Sequence, residues 1–171
     1  MKVEKSKKTA FKKRTSSEGP FWKTKTPEEM TEEEWESLCC GCGICCLHRI
    51  RNRLSGKPRF TSVACRHLDP KTCRCRVYED RFEICADCEK ITPENVRRLK
   101  WLPRTCGYRT VAEGRDIDEW HPLVSKDPDT VHLAGVSLKG EEIVSEEDIV
   151  AGDLLKYLIL RPIGFSGKES G

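Results

Sequence analysis

The first regular pattern of apolar and polar residues along the chain begins at Met30. Thr31 can cap a helix whose third residue, Glu34, reaches back to the cap, and Met30 can pack on Trp35 as a hydrophobic staple. These features predict a short helix that stops where Gly41 enters a cysteine-rich segment.

The next pattern follows that segment directly. Residues 48–53 and 59–65 alternate with the period of two that strands show, and Ser55 and Gly56 lie between them as a turn. This arrangement predicts a β-hairpin.

The second half of the chain carries three further patterns. Residues 92–100 are predicted as a short helix with Pro93 at its first position. Residues 136–138 are predicted as a strand. A capped run with apolar residues at helical spacing predicts a C-terminal helix over residues 145–159, ending before Pro162.

Cysteine is the most unusual component of the chain. There are 11 cysteines among 171 residues, at positions 39, 40, 42, 45, 46, 65, 73, 75, 85, 88 and 106. Hydrophobic residues make up only 37% of the chain, so its core will be modest and would gain from a cross-link. An odd number of cysteines cannot all pair internally, which favours metal binding over a disulfide framework.

The cellular compartment also bears on this choice. The N-terminus is basic but no apolar run follows it, so a secretory signal peptide is not expected. No stretch approaches the roughly 18 apolar residues that a membrane helix needs. We therefore expect a cytoplasmic protein, not bound to a membrane, whose thiols stay reduced and bind metal.

Four closely spaced cysteines give the strongest metal signal: Cys39-x-x-Cys42-x-x-Cys45-Cys46. Thiols three residues apart can converge on one ion, and this spacing occurs twice in succession. Adjacent side chains diverge in an extended chain, so Cys45 and Cys46 indicate two metals, a polynuclear cluster, or one ligand beside a free thiol. Soft thiolates suit zinc and iron–sulfur clusters alike.

Known cysteine motifs match this segment only in part. The bacterial ferredoxin motif would need a fourth cysteine where Arg49 stands. A zinc ribbon could combine the first C-x-x-C pair with Cys85 and Cys88, although the gap is longer than usual. The spacing predicts a metal site without selecting its metal.

Seven segments follow one another in an order typical of one family: residues 35–39 (WESLC), 42–47 (CGICCL), 60–66 (FTSVACR), 71–76 (KTCRCR), 78–83 (YEDRFE), 101–109 (WLPRTCGYR) and 120–123 (WHPL). Over about residues 21–150 the chain resembles the YcgN-type CxxCxxCC cysteine-cluster proteins. That family is described as a zinc- or iron-chelating domain, bacterial and cytoplasmic. A related module is attached to a flagellin lysine methylase, so the resemblance also allows an accessory role.

Carried over position by position, the family pattern implies nine metal ligands: Cys39, Cys42, Cys45, Cys46, Cys65, Cys73, Cys75, Cys88 and Cys106. Cys40 and Cys85 lie outside this pattern and could equally be small buried hydrophobic residues. Cys85 fits a looser pattern of the wider family, so the resemblance leaves open whether Cys85 or Cys88 is the ligand.

Other side chains near the cysteines could support a metal. The imidazoles of His48 and His67 could complete a mixed site. Four arginines flank the cysteines: Arg49, Arg66, Arg74 and Arg76. Their guanidinium groups could offset the negative charge of a thiolate-bound metal, or they could form a solvated face.

Charge is distributed unevenly. Residues 1–25 carry nine Lys/Arg and two Glu (net +7), and the remaining 146 residues carry 22 basic and 26 acidic residues (net −4). We predict a disordered basic tail over residues 1–20, a cysteine-cluster metal-binding domain over 21–160 and a flexible tail over 161–171. The acidic body argues against nucleic-acid binding, except weakly through the basic tail.

The predicted fold is α+β: a small irregular domain stapled by metal, with short helices and one or two β-hairpins. No catalytic nucleophile or acid is apparent, so we predict a non-enzymatic protein that binds zinc or iron in a structural or regulatory role. Its partners would be metal ions and a further protein. The alternative is an iron–sulfur enzyme, or an enzyme accessory protein in electron transfer or protein modification.

Overall fold

The protein is seen in a computed structural model that describes residues 19–54, 56–150 and 152–159. These residues form six short α-helices, α1 Phe21–Thr24, α2 Glu32–Glu36, α3 Arg81–Ile84, α4 Gly107–Ala112, α5 Pro122–Ser125 and α6 Thr130–Leu133. They also form five strands, β1 Leu47–Arg51, β2 Pro58–Ala64, β3 Leu68–Asp69, β4 Arg74–Cys75 and β5 Val144–Ser145. Among these residues, no helix combines the length and the apolar composition of a membrane span. The predicted tails fall almost entirely outside the described residues.

Two small sheets confirm the predicted mixture of helices and hairpins. Strands β1 and β2 pair antiparallel as the predicted hairpin, with Arg49 opposite Phe60, and β5 adds to β2 in parallel. Strands β3 and β4 form a second, two-residue hairpin that presents Cys75. The fold is therefore small and mixed α/β.

Helix α2 begins with the predicted capping box. The Glu34 amide donates to the Thr31 hydroxyl over 3.2 Å, and the Thr31 amide donates to the Glu34 carboxylate over 2.9 Å. Trp35 is buried, and its ring lies 5.0 Å from that of Tyr108. The helix ends at Glu36, so the chain approaches the first cysteine in an irregular conformation.

The cysteine-rich segment, residues 38–46, contributes a buried residue to each of three apolar clusters. Leu38 belongs to the cluster around Trp35, Cys40 to a small cluster with Val131, and Ile44 to a cluster with β1. This one segment therefore positions the thiols relative to every part of the core.

The predicted helix over residues 92–100 is wrong, because this stretch is a series of turns. The Thr92 amide donates to the side-chain oxygen of Asn95 over 2.8 Å, and the Asn95 amide donates to the Thr92 hydroxyl over 3.3 Å. Such local hydrogen bonds between side chains and the backbone compete with the backbone hydrogen bonds of a helix. The turns still bury Val96 and Leu99.

The two predictions near the C-terminus are also wrong. Residues 136–138 form a bend instead of a strand, and the strand of this region is β5. In place of one helix over 145–159 there are two short 3-10 helices, Glu146–Asp148 and Asp153–Tyr157. Between them Ile149 is extended and Gly152 has a φ of 95°, a left-handed conformation that a helix cannot continue through.

Candidate metal centre

Seven of the eleven cysteines line a single cavity of about 430 Å³: Cys39, Cys45, Cys46, Cys65, Cys75, Cys85 and Cys88. They come from the cysteine-rich segment, the end of the first hairpin, strand β4 and the turn after α3. We call this space the thiol cavity. It brings together cysteines that are up to 49 positions apart in the sequence, from Cys39 to Cys88.

Six of the nine predicted ligands lie on the thiol cavity, whereas Cys42, Cys73 and Cys106 do not line it. Cys85 and Cys88 both do, so the position of the cavity does not choose between them. The two are joined by a tight turn in which the Cys88 amide donates to the Cys85 carbonyl over 3.0 Å.

The adjacent thiols of Cys45 and Cys46 both reach the cavity, although an extended chain would send them apart. Residues Ile44–Cys46 form one turn of 3-10 helix, which begins after Gly43 with a φ of 78°. Gly43 must stay small in this left-handed conformation, because a Cβ there would approach the Cys73 Cβ to 3.3 Å. The turn therefore allows one cluster to use both neighbours.

The thiols of the cavity are neighbours and not yet a coordination shell. All eleven cysteines are free. Within the part of the chain that the structure describes, no three side chains of His, Cys, Asp or Glu stand where they could already hold a metal ion. Any metal must therefore draw the sulfur atoms together.

Cys45 is a cavity thiol whose surroundings favour the thiolate form. The Cys46 thiol donates a hydrogen bond to the Cys45 sulfur, and this bond lowers the pKa of Cys45 to about 7. Partial loss of hydration raises the pKa, but by less than the hydrogen bond lowers it. The positive charges of Arg49 and Arg81 add to the lowering. The side chain itself is exposed because it faces the open cavity.

Other cavity thiols are held protonated. Burial raises the pKa of Cys39 to about 12, with negative charge at Cys45 and Cys42 adding to the rise. Burial likewise raises the pKa of Cys65 to about 11. A second thiolate beside the first is therefore costly unless a cation enters the cavity.

This difference in pKa predicts selective alkylation of the metal-free, reduced protein. At pH 7 about half of Cys45 would be thiolate, and its iodoacetamide modification should rise with pH and level off above about pH 8. Cys65, which lies on the same cavity, should react far more slowly because its pKa is about 11. Peptide mapping after short exposures measures both rates, and equal rates at pH 7 would contradict the assignment.

Two arginines form the wall of the cavity. The Arg49 guanidinium lies 3.5 Å from the ring centre of Trp101 and pairs with Glu89 over 3.3 Å. The Arg81 guanidinium lies 3.6 Å from the ring centre of Tyr78. Arg49 was among the predicted flanking arginines, and Arg81 joins it on the cavity wall.

The other predicted arginines have different surroundings. Arg66 pairs with Glu146 over 2.7 Å, and Glu146 also bonds His48 over 2.6 Å, so His48 is engaged by a carboxylate. The Arg74 guanidinium packs directly on Gly41, where a Cβ would come within 2.3 Å of it. His67 lines the thiol cavity.

A carboxylate beside the thiols was missed by sequence reasoning. Glu36 accepts hydrogen bonds from the hydroxyl groups of Tyr78 and Tyr108 and from Arg81, the last over 3.2 Å. Burial raises the pKa of both tyrosines, so they remain donors. All four residues line the thiol cavity. In sequence, Glu36 is one of several glutamates in α2, and nothing there distinguishes it.

The fold and the cavity thus define a small mixed α/β protein whose free thiols converge from distant segments. The chain belongs to the UPF0260 family. It is 52% identical over 151 residues to a UPF0260 protein of Rhodopseudomonas palustris (strain HaA2), covering 88% of this chain and 89% of the relative. It is 54% identical over 144 residues to one of Rhizobium etli (strain CIAT 652), covering 84% and 90%. A relative in Rhizobium meliloti (strain 1021) is 52% identical over 146 residues, covering 85% and 94%.

The other two comparisons found no relative. No family model matches the chain, and no solved structure matches it. The names of the UPF0260 relatives state the family and no activity or metal. The resemblance to the CxxCxxCC proteins therefore stays a prediction.

Proposed function

We propose that this protein binds zinc or iron through the thiols of the cavity. The observation that carries the proposal is the convergence of seven thiols on one space of about 430 Å³. Cysteine thiolates are preferred ligands of zinc and of iron–sulfur clusters. The ligands would come from Cys39, Cys45, Cys46, Cys65, Cys75 and Cys88, with Cys85 as a further donor.

The electrostatics of the cavity support a cation as its occupant. Metal binding releases the protons of the thiols and replaces the repulsion between thiolates with attraction to the ion. The Cys45 thiolate would bind first, and the guanidinium groups of Arg49 and Arg81 would offset the excess negative charge of the completed centre. A tetrahedral ion takes four thiolates, so seven thiols suit more than one metal or a polynuclear cluster.

The cysteine side chains can move enough for their sulfur atoms to meet a metal ion. Each cysteine has three staggered side-chain positions, and the cavity is open enough for its sulfur atoms to turn inward. In a cytoplasmic location the thiols would stay reduced. We infer a structural or regulatory metal, because the centre would join segments that the modest apolar core holds only weakly.

One observation favours an alternative, an iron–sulfur enzyme or accessory protein. The cavity has the volume of a small-molecule site, which typically spans about 300–1,000 Å³. The carboxylate of Glu36 and the hydroxyl groups of Tyr78 and Tyr108 lie on its wall. Such groups could hold a substrate beside the metal, or protons that accompany electron transfer.

Titration of the reduced, metal-free protein with Co²⁺ tests the proposed function. Thiolate ligands should give sulfur-to-cobalt charge-transfer bands that disappear when Zn²⁺ is added. Anaerobic reconstitution with iron and sulfide tests for an iron–sulfur cluster, which the alternative requires and which gives a stable visible chromophore. A folded, reduced protein that gives neither spectrum would contradict metal binding.

A further inference from the structure

The first hairpin carries an unusual concentration of positive charge. Residues 47–61, which contain β1, the turn and the start of β2, include five Lys/Arg and no Asp/Glu. The 22 basic and 26 acidic residues of 26–171 therefore leave 17 basic and 26 acidic residues outside the hairpin, a net charge of −9. We call residues 47–61 the basic hairpin. The net charge of the body thus conceals two regions of opposite sign.

The tip of the basic hairpin projects from the protein. Arg51, Arg53 and Lys57 are exposed, and Leu54 among them is 99% exposed. A Cβ added at Gly56 would meet no atom within 4 Å. Strand β1 is also the edge strand of its sheet, in the order β1-β2-β5. A partner can therefore approach the tip from both faces and from its end.

The charges of the tip extend from both faces of the two-stranded ribbon. Arg51 lies opposite Pro58, and Arg59 lies opposite Ile50. Residues directly opposite each other on two antiparallel strands share a face, and consecutive residues of one strand alternate between faces. Because Arg51 follows Ile50, the side chains of Arg51 and Arg59 extend from opposite faces.

The arginines of the tip can bind an external anion. Arg49, at the base of the hairpin, is already engaged, because its guanidinium pairs with Glu89 over 3.3 Å. Within the described ranges, Arg51, Arg53 and Arg59 form no ion pair. A guanidinium group binds phosphate through two parallel N–H donors. The charge and the residue type together indicate a partner rich in phosphate.

We propose that the basic hairpin binds double-stranded DNA, with its tip in the major groove and its arginines on the phosphates of both groove walls. The major groove is about 12 Å wide and admits a two-stranded β-ribbon. Positive side chains on both faces of the ribbon match a groove that has phosphates on both sides. Contacts to the backbone position a protein without reading bases, so this binding would not depend on DNA sequence.

Other partners fit the basic hairpin less well. A membrane surface is planar and would meet the cations of one face only, and a single exposed leucine is a small apolar anchor. The core of a protein interface is apolar or aromatic, and Leu54 is the one large, highly exposed apolar side chain among the described residues of the hairpin. The major groove of A-form RNA is deep and narrow. Double-stranded DNA therefore suits the ribbon best.

The acidic remainder of the protein limits this binding to the tip. Its net charge of −9 repels phosphates, so we expect weak binding, with a Kd in the non-specific range of about 10⁻⁴–10⁻⁶ M. Residues 51–59 contain no cysteine, so DNA binding goes beyond the proposed metal binding and does not depend on it. The base of the hairpin nevertheless supplies Arg49 to the wall of the thiol cavity. A bound duplex would therefore lie close to the metal centre.

Binding of the full-length protein to a short labelled DNA duplex of mixed sequence tests the proposal. Arg51→Gln with Arg53→Gln removes two phosphate contacts from the tip. Each contact contributes about 0.9 to the slope of log affinity against log salt. Between about 50 and 200 mM salt, the loss of affinity should therefore be about 12-fold smaller for this variant than for the original protein.

The matched control removes the same charge outside the hairpin, as Lys71→Gln with Arg98→Gln, both at exposed positions. It should keep the original salt dependence. The basic residues of 1–25 are present in both variants and contribute equally. Metal binding should be unchanged in both, which also verifies that they are folded. If the first variant is unfolded, Lys57→Gln with Arg59→Gln replaces it.

Three results would overturn the inference and leave the proposed function standing. The first is the same salt dependence in the hairpin and control variants. The second is binding through the hairpin to vesicles of phosphatidylglycerol and phosphatidylcholine that is as tight as binding to the duplex. The third is equal affinity for double-stranded RNA, which would contradict insertion into the wide major groove of DNA.

Discussion

Removing the bound metal is expected to lower the melting temperature of the protein by roughly 8–16 °C. A ligand at about 1,000 times its Kd stabilises the native state by ~4 kcal/mol, and each kcal/mol shifts the midpoint of a chain of this size by roughly 2–4 °C. Because the proposed ligands come from distant segments, the free energy of metal binding becomes free energy of folding.

Thermal unfolding with and without a strong chelator measures this effect under reducing conditions. Re-addition of Zn²⁺ should restore the melting temperature, which separates metal loss from damage by the chelator. An unchanged melting temperature after metal analysis has verified removal would contradict a structural role.

Replacing the two adjacent cavity thiols together, Cys45→Ser with Cys46→Ser, should weaken metal binding at the cavity by more than about 100-fold. Loss of an outer partner of a metal ligand already costs 10–100-fold, and this variant removes two ligands themselves. Competition with a chromophoric chelator measures the affinity.

The matched control is Ile44→Val, which changes the same 3-10 turn and keeps every thiol. Ile44 is buried, so this change should cost about 0.5–1.5 kcal/mol of stability. Metal affinity should nevertheless stay near that of the original protein. A double-serine variant that binds as tightly as Ile44→Val would show that Cys45 and Cys46 are not ligands.

Local signals in the sequence predicted the elements that depend on local interactions. The capping box of α2 involves residues three apart, and the first hairpin follows from strand alternation around a turn. The pattern over residues 92–100 predicted a helix in the same way. There, the hydrogen bonds between Thr92 and Asn95 replace helical backbone bonds, and the apolar pattern does not reveal them. Gly152 similarly breaks the predicted C-terminal helix.

The sequence could identify the cysteines but not which of them line one cavity. That selection depends on tertiary placement and on the 3-10 turn after Gly43, which sends Cys45 and Cys46 into the cavity. Glu36 was missed for a related reason. Its contact with Arg81 joins residues 45 positions apart, and Glu36 does not differ from its charged neighbours in sequence.

Metal analysis of the full-length protein, purified without oxygen or chelators, tests the central claim most directly. The account predicts zinc or iron at one or more equivalents per chain, lost when cavity thiols are replaced by serine and retained in Ile44→Val. A folded protein with all eleven thiols reduced that carries neither metal, and takes up neither when titrated, would contradict it.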